Sequence, residues 1–391
     1  MTRQTPPPVY LDYNATAPLL PAARQAMEAS LDAVSGNPSS PHGFGQSARA
    51  ALEGHRAVLA ELTGWERAEV LFTSGGTESN NTLLRSWGQG RRPGHILTTP
   101  VEHPSILRTV DWLKDQGMAV SYLPVDTQGV VRVEALADLL RPDTRMVSVM
   151  AANNETGVVQ PLQAVAAELR RLDPERRVWL HTDASQALGR IPLMLKAWGF
   201  DAVTLTAHKL GGPKGIGAMI LRRGRELAPL LLGGRQERGQ RAGTESVFLA
   251  AGFAAAAQWA CANLTENTRR WTALRDRLES RLSGLEGFFI NGLGAPRLPN
   301  TSSLGMAGLD AQSLLVALDL HGVGVSAGSA CSSGAVEPSH VLRAMGVSED
   351  SLRGSLRISL GHATTEAEVD RCVTVLQQET GRLRTTRAAM A

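Results

Sequence analysis

The chain has 391 residues, 43% of them hydrophobic and 20% charged, which is enough for a substantial core and for two domains. Its net charge of +3 comes from arginines spread over many segments, with no basic tail or arginine block, so direct nucleic-acid binding is not expected. Met1 to Pro8 lacks the apolar core of a secretory signal, and Phe248 to Ala262 is too short and too alanine-rich to span a bilayer, so a cytoplasmic protein without membrane attachment is expected.

From about Glu69 to about Leu221, short β-branched runs alternate with amphipathic stretches, the pattern of a mainly parallel sheet covered by helices. The expected strands are Val70 to Thr73, His95 to Thr98, Arg145 to Met150, Val178 to His181, Ala202 to Thr206 and Ile216 to Ile220, with a helix at Leu162 to Leu172. Phe248 to Ala262 reads as a buried helix and Asn267 to Leu285 as a long charged one. Beyond it the elements shorten: strands near Phe288 to Ile290, Ser302 to Leu304 and Leu356 to Ser359, and helices near Ala311 to Leu320 and Thr365 to Arg382. The fold class is therefore α/β with a smaller α+β C-terminal domain, divided near residue 265.

Ligands of an open α/β sheet bind beyond the carboxyl ends of its strands. Five polar clusters fall there: Ser74 to Ser79, Val101 to His103, Asn153 to Gly157, His181 to Gln186 and Thr206 to Gly215. The Ser74-Gly-Gly-Thr77 turn suits a phosphate at a helix N-terminus, and equally suits a capped strand-to-helix turn. Asp183, at the end of an apolar strand, needs a positive partner, which a pyridinium nitrogen or a capped helix would supply. Lys209 sits beside Thr206 and His208 in a turn rich in glycine and proline, where a desolvated amine becomes nucleophilic toward an aldehyde; Lys214 competes for that role. His103 is either a strand-end histidine or a ring that stacks on a flat ligand and moves protons.

No pairing or metal-ligand spacing links Cys261, Cys331 and Cys372. Cys331 lies in the small-residue run Ser326 to Gly334, which reads as an exposed, mobile loop, whereas Cys261 and Cys372 fall on helical core patterns. Cys331 is thus the expected nucleophile.

Tyr10-Leu-Asp-Tyr-Asn-Ala-Thr16, Gly36-Asn-Pro38, His208-Lys209 with Gly212-Pro-Lys-Gly215, Gly328-Ser-Ala-Cys331 with Glu337-Pro-Ser339, and Arg357 to Gly361 together resemble the cysteine desulfurases. These are class V, aminotransferase-like pyridoxal-phosphate enzymes of fold type I, and the length of the Cys331 loop resembles that of their iron–sulfur-cluster and nitrogenase-associated group. The resemblance implies a large domain, residues 16–265, with a mainly parallel seven-stranded sheet flanked by helices, a small domain, residues 266–391, carrying the Cys331 loop, and an N-terminal segment, residues 1–15, packed with the small domain. It implies that Lys209 bonds pyridoxal 5′-phosphate, that Asp183 pairs with the ring nitrogen, and that Gln186 bonds the ring hydroxyl. Gly76, Thr77, Thr206 and His208 would hold the cofactor's phosphate, joined by Thr244 of a second subunit in a homodimer, and Ala207 would also belong to the cofactor-binding set. His103 would stack on the ring, while Asn154, also touching the cofactor, and Arg357 would bind the substrate carboxylate.

The implied reaction converts L-cysteine to L-alanine with a persulfide on Cys331, which then passes to an acceptor protein such as an iron–sulfur scaffold or a tRNA thiolation factor. No intrinsic metal is implied, although Cys331 could ligate a cluster transiently. Glu245-Ser-Val-Phe248 departs from the family's intersubunit pattern, Arg235 replaces a common glycine, and the sequence beyond Arg384 is shorter than the tail that docks scaffolds in housekeeping relatives. The rival readings are a selenocysteine lyase or aminotransferase of the same superfamily, a sulfur carrier without activity, and two motif matches. Those matches are a GxSxG hydrolase on Gly324 to Gly328 with Asp350 and His362, and a loose dinucleotide fingerprint at Gly322, Gly324 and Ala327.

Overall fold

The computed structural model describes residues 7–88, 94–327 and 338–390. The chain opens with β1 (Val9–Tyr10), followed by β2 (Val70–Thr73), β3 (His95–Thr98), β4 (Ala119–Tyr122), β5 (Thr144–Ser148), β6 (Trp179–Asp183), β7 (Ala202–Thr206) and β8 (Gly217–Leu221). The last seven of these form one sheet in the order β2-β8-β7-β6-β5-β3-β4. Pairings among β7, β6, β5, β3 and β4 are all parallel, and only β8 runs antiparallel to its neighbours β2 and β7. Every residue of β2, β3, β6, β7 and β8 is buried, as expected for strands covered on both faces.

Several details differ from the sequence expectation: β6 ends at Asp183 instead of His181, and Ser326–Ala327, expected as part of the exposed loop, is a strand paired with Arg357 and Leu356. The edge strand β4 is half-buried along its whole length and has too little apolar patterning to announce itself. The run expected to end at Met150 leaves the ladder at Ser148, because Met150 gives its N–H to Glu102 Oε1 at 2.7 Å instead of to a strand.

The reversal at β8 positions the central lysine. Thr206 lies opposite Gly217 across the β7–β8 pair, so residues 207–216 form the turn that leaves the carboxyl end of β7, and Lys209 sits within it. On the other side of β7, Asp183 is abreast of Thr204. The sheet therefore sets Lys209 and Asp183 at the same end of adjacent strands.

The largest core cluster packs the sheet against helices, with Phe200 and Phe253 fully buried. Each such side chain contributes about 1.5–3 kcal/mol. The alanine-rich helix Val247–Ala262 packs on Pro21–Ala33 and Gly43–Thr63. Gly252 permits this approach, since a Cβ there would lie 2.7 Å from Met27 and 3.0 Å from Pro213.

The C-terminal part holds β9 (Phe288–Ile290), β10 (Thr301–Met306), β11 (Val323–Gly324), β12 (Ser326–Ala327) and β13 (Ser355–Ser359). An antiparallel sheet of order β12-β13-β10-β9 packs on the helices Leu264–Leu282, Ala311–Leu320 and Glu366–Met390 around a second core that includes Trp271, Leu314 and Val373. The N-terminal segment joins it: β1 pairs with β11, and Asp12 bridges to Ser359 of β13. This pairing carries Asp12 and Asn14 toward the carboxyl ends of the large sheet's strands. Among the described residues, no single helix is long and apolar enough to cross a membrane.

Candidate active site

A cavity of about 420 Å³ draws its lining from all five strand-end clusters singled out in the sequence. Gly76 and Thr77 follow β2, His103 follows β3, Asn154 follows β5, Asp183 and Gln186 end β6, and Thr206, His208 and Lys209 end β7. Arg357 reaches it from the middle of β13, and Asn14 from the N-terminal segment. Lys214, by contrast, is exposed and does not line the cavity.

At one end the helix Gly76–Gly88 begins directly after β2, so its first N–H groups have no helical partner and favour an anion. A Cβ on Gly76 would stand 3.1 Å from Ser185 Oγ, and that hydroxyl is buried without a hydrogen-bond partner. Gly217 of β8 passes so close behind the turn that a Cβ there would lie 2.7 Å from Gly75 Cα. His208 Nδ1 is 3.3 Å from Thr16 Oγ1. Burial, with the Lys209 charge next in importance, pushes His208 down to about 4, which leaves a neutral ring at physiological pH.

In the middle, Asp183 accepts from Asn80 Nδ2 at 2.7 Å and from the Ser185 N–H at 2.9 Å. Asn80 Nδ2 also donates to Ser105 Oγ at 2.9 Å. Ser105 Oγ lies 2.8 Å from His103 Nδ1, which accepts as well from the Ser105 N–H at 3.1 Å. With Nδ1 accepting, the neutral ring carries its proton on Nε2. Burial holds the His103 pKa below its usual value, against the raising influence of Asp183. Glu102, fully buried beside it, is pushed up to about 8 by burial.

At the far end, Lys209 Nζ donates to the Asn14 carbonyl and, at 2.7 Å, to that of Ala15. Burial, then the positive charges of Arg357 and Arg190, push it down to about 7. Arg357 donates to Asp12 Oδ1 at 2.7 Å and to the Asn154 carbonyl at 3.0 Å, and its Nε is buried without a partner. Gln186 donates from Nε2 to the Asn14 carbonyl at 3.0 Å and accepts from Arg190 through Oε1.

Asn80, Arg190 and the pairing of Asp12 with Arg357 were not singled out in the sequence, because the contacts Asn80–Asp183, Arg190–Asn14 and Asp12–Arg357 span 103, 176 and 345 residues; Asn14 and Ser185 lie within the Tyr10–Thr16 motif and the His181–Gln186 cluster, where neither was given a role. Ala207 is fully buried beneath the Lys209 turn, its N–H bonded to the Ile216 carbonyl, and does not line the cavity. Thr244 is exposed and away from its own chain's cavity. Cys331 lies outside the described residues, as does Glu337, while Ser339 caps the helix His340–Ala344 and donates to Glu155.

The hydrolase triad does not form among the described residues. Ser326 donates to the Ala327 carbonyl, Asp350 lies in the exposed first turn of the helix Glu349–Arg353, and His362 packs edge-on against Tyr13 and Trp259. The dinucleotide match runs into the short strands β11 and β12 instead of a helix. No group of three or more potential metal ligands occurs among the described residues.

Comparison with known proteins points the same way. The chain is 41% identical over 383 residues to the "Cysteine desulfurase IscS" of Dictyoglomus turgidum, covering 96% of this chain and 95% of that one. It is 43% identical over 392 residues to the "IscS-like cysteine desulfurase" of Mycobacterium tuberculosis, covering 98% of each. A solved "NIFS-LIKE PROTEIN" superposes with a TM-score of 0.88 at 36% identity, covering 97% of this chain and 100% of that one. The family profile "Aminotransferase class-V" matches residues 9–372, and the chain belongs to the class V aminotransferase family.

Proposed function

We propose that this chain is a cysteine desulfurase that uses pyridoxal 5′-phosphate to convert L-cysteine to L-alanine and leaves the sulfur as a persulfide on Cys331. The observation that carries the reading is the meeting of a near-neutral Lys209 with Asp183 in one cavity whose other end offers a free helix N-terminus and the unpartnered Ser185 hydroxyl. That donor set fits a phosphorylated pyridine aldehyde: Gly76, Thr77, Ser185, Thr206 and His208 would hold the phosphate, Asp183 the ring nitrogen, and Gln186 Nε2 the ring hydroxyl. When bound, the cofactor supplies an aldehyde that condenses with amines and a ring that takes up an electron pair from the substrate's α-carbon.

The chain's own residues do the rest. Lys209 would be the residue that bonds the cofactor's aldehyde, and its amine, when free, would take the substrate's α-proton; in the cofactor-free chain burial and the charges of Arg357 and Arg190 already hold that amine toward its neutral form. Arg357 presents a planar fork to the substrate carboxylate, with Asn154 beside it. His103 moves a proton at the substrate sulfur through Nε2. The Cys331 thiolate attacks that sulfur: the S–S bond forms, the substrate's C–S bond breaks, and the carbon gains a hydrogen to become alanine. One thiol and one cysteine thus yield one persulfide and one alanine.

Cys331 is assigned this step because it stands in a run of small residues, whereas Cys372 is fully buried with its thiol pushed up to about 12, and burial also raises Cys261. The names of the relatives support cysteine as substrate. We also propose a homodimer in which Thr244 completes the partner's phosphate site, a domain division near residue 265, and an acceptor protein for the persulfide. The test is to give L-cysteine to the cofactor-loaded protein and measure alanine and Cys331 persulfide by mass spectrometry. Equal amounts over a single turnover are expected, and alanine at the wild-type rate from Cys331→Ser would overturn the reading.

A further inference from the structure

Arg190 stands under the cavity and is itself only 4% exposed. It makes no ion pair with a carboxylate among the described residues; its donors go to Asn14 Oδ1 at 2.8 Å, Gln186 Oε1 and the Lys209 carbonyl at 3.0 Å. An unpaired buried cation costs several kcal/mol, so a purely structural hydrogen-bonding role would be filled more cheaply by a neutral side chain.

A guanidinium can only donate, and this fixes the polarity of everything it touches. The Gln186 amide must turn its oxygen to Arg190, which leaves Nε2 as a donor with one hydrogen on the Asn14 carbonyl and the other unassigned. Asn14 is oriented in the same way: its oxygen faces Arg190 and its Nδ2 donates to Thr301 Oγ1 at 2.9 Å and the Asn154 carbonyl at 3.2 Å. The Asn14 carbonyl in turn receives Lys209 Nζ. Arg190 therefore touches Lys209 at its main-chain carbonyl and shares Asn14 with its amine, Arg190 on the side-chain oxygen and Lys209 Nζ on the main-chain carbonyl.

We propose that Arg190 is a positioning residue of this site: a buried cation kept free of carboxylates so that it orients Gln186 as a donor, anchors the Lys209 main chain and holds positive charge beneath the Lys209 amine. This rests on the reading of Lys209 as the residue that bonds the cofactor. The charges acting on that amine are Arg357 and Arg190, which disfavour its protonation, and Asp12 and Asp183, which favour it; burial adds to the first pair. His103 and His208 are the neighbouring rings, both held toward the neutral form.

The test uses the cofactor-free full chain, with glyoxylate and cyanoborohydride as the probe, and follows labelling of Lys209 against pH by peptide mass spectrometry. In wild type the labelling midpoint is expected near 7. Arg190→Met and Arg190→Gln move it upward, and Arg190→Lys, which keeps the charge, returns it toward wild type. Arg190→Met takes the donor from three carbonyl oxygens, of which Asn14 Oδ1 keeps another from Asn300 Nδ2 at 3.3 Å, so thermal denaturation is measured in parallel and Arg190→Gln serves if the methionine variant does not fold. Unchanged midpoints in the folded neutral variants, whatever their loss of stability, would reduce Arg190 to a structural contact and overturn the proposal. A wild-type Lys209 that is labelled no faster than exposed Lys214 at pH 7.5 overturns the cofactor reading itself, and this proposal with it.

Discussion

Replacing Lys209 with methionine removes the amine while keeping an apolar side chain of similar reach, and Lys214→Met is its control. An amine titrating at about 7 is about three-quarters neutral at pH 7.5, whereas one at the ordinary 10.5 is about 0.1% neutral, a gain on the order of several hundredfold in the reactive form. Mixing the cofactor-free protein with pyridoxal 5′-phosphate at that pH, following the visible absorption band and reducing with borohydride should place the label on Lys209 in wild type and in Lys214→Met. No band should form in Lys209→Met. The rate of band formation should rise as pH passes through about 7 and then level. The same shift is linked to stability: the unfolded chain binds the Lys209 proton up to about 10.5, so the cofactor-free protein loses stability as pH falls from 10.5 toward 7, and Lys209→Met should lose that part of the pH dependence. A rate that keeps climbing to pH 10, or a label on Lys214, would refute the reasoning.

Asp183→Asn removes the proposed partner of a ring nitrogen and should weaken cofactor binding by about 3–5 kcal/mol, measured by equilibrium titration, while slowing exchange of the substrate α-proton in deuterated water; unchanged exchange would separate Asp183 from the chemistry. Gly217→Ala places a methyl 2.7 Å from Gly75 Cα and from the Leu205 carbonyl, so denaturant unfolding should show a loss of about 1–3 kcal/mol, with weaker binding of inorganic phosphate. Cys372→Ser buries a hydroxyl in an apolar cluster and should cost about 1–3 kcal/mol of stability, yet retain turnover below its melting transition. Loss of alanine production in folded Cys372→Ser or Cys261→Ser would contradict the choice of Cys331.

How much could be read in advance varied along the chain. Where both faces of a strand are buried, as at Val70–Thr73, His95–Thr98 and Ala202–Thr206, the apolar runs give the bounds directly. The edge strand Ala119–Tyr122 was not legible, because only partial burial supports it. The long helix expected at Asn267 to Leu285 runs instead from Leu264 to Leu282, its charged face giving no boundary signal.

The sequence by itself determined that Gly76, His103, Asn154, Asp183 and Lys209 belong to one site, since each follows a strand and parallel strands share one carboxyl end. It favoured Lys209 over Lys214 by its place at a strand's carboxyl end, but it did not show Lys214 turned away from the cavity or Arg190 beneath the site. Those outcomes depend on the antiparallel return of β8, which holds Lys209 over the cavity and leaves Lys214 in solvent, and on the N-terminal segment, which brings Asp12 to Arg357 and Asn14 to Arg190 across the length of the chain. Local patterning records which face of an element is buried; it holds no record of which distant donor meets which acceptor, and around Lys209 those meetings bring Arg357 and Arg190, whose charges add to the effect of burial on the amine, and orient the amides of Gln186 and Asn14.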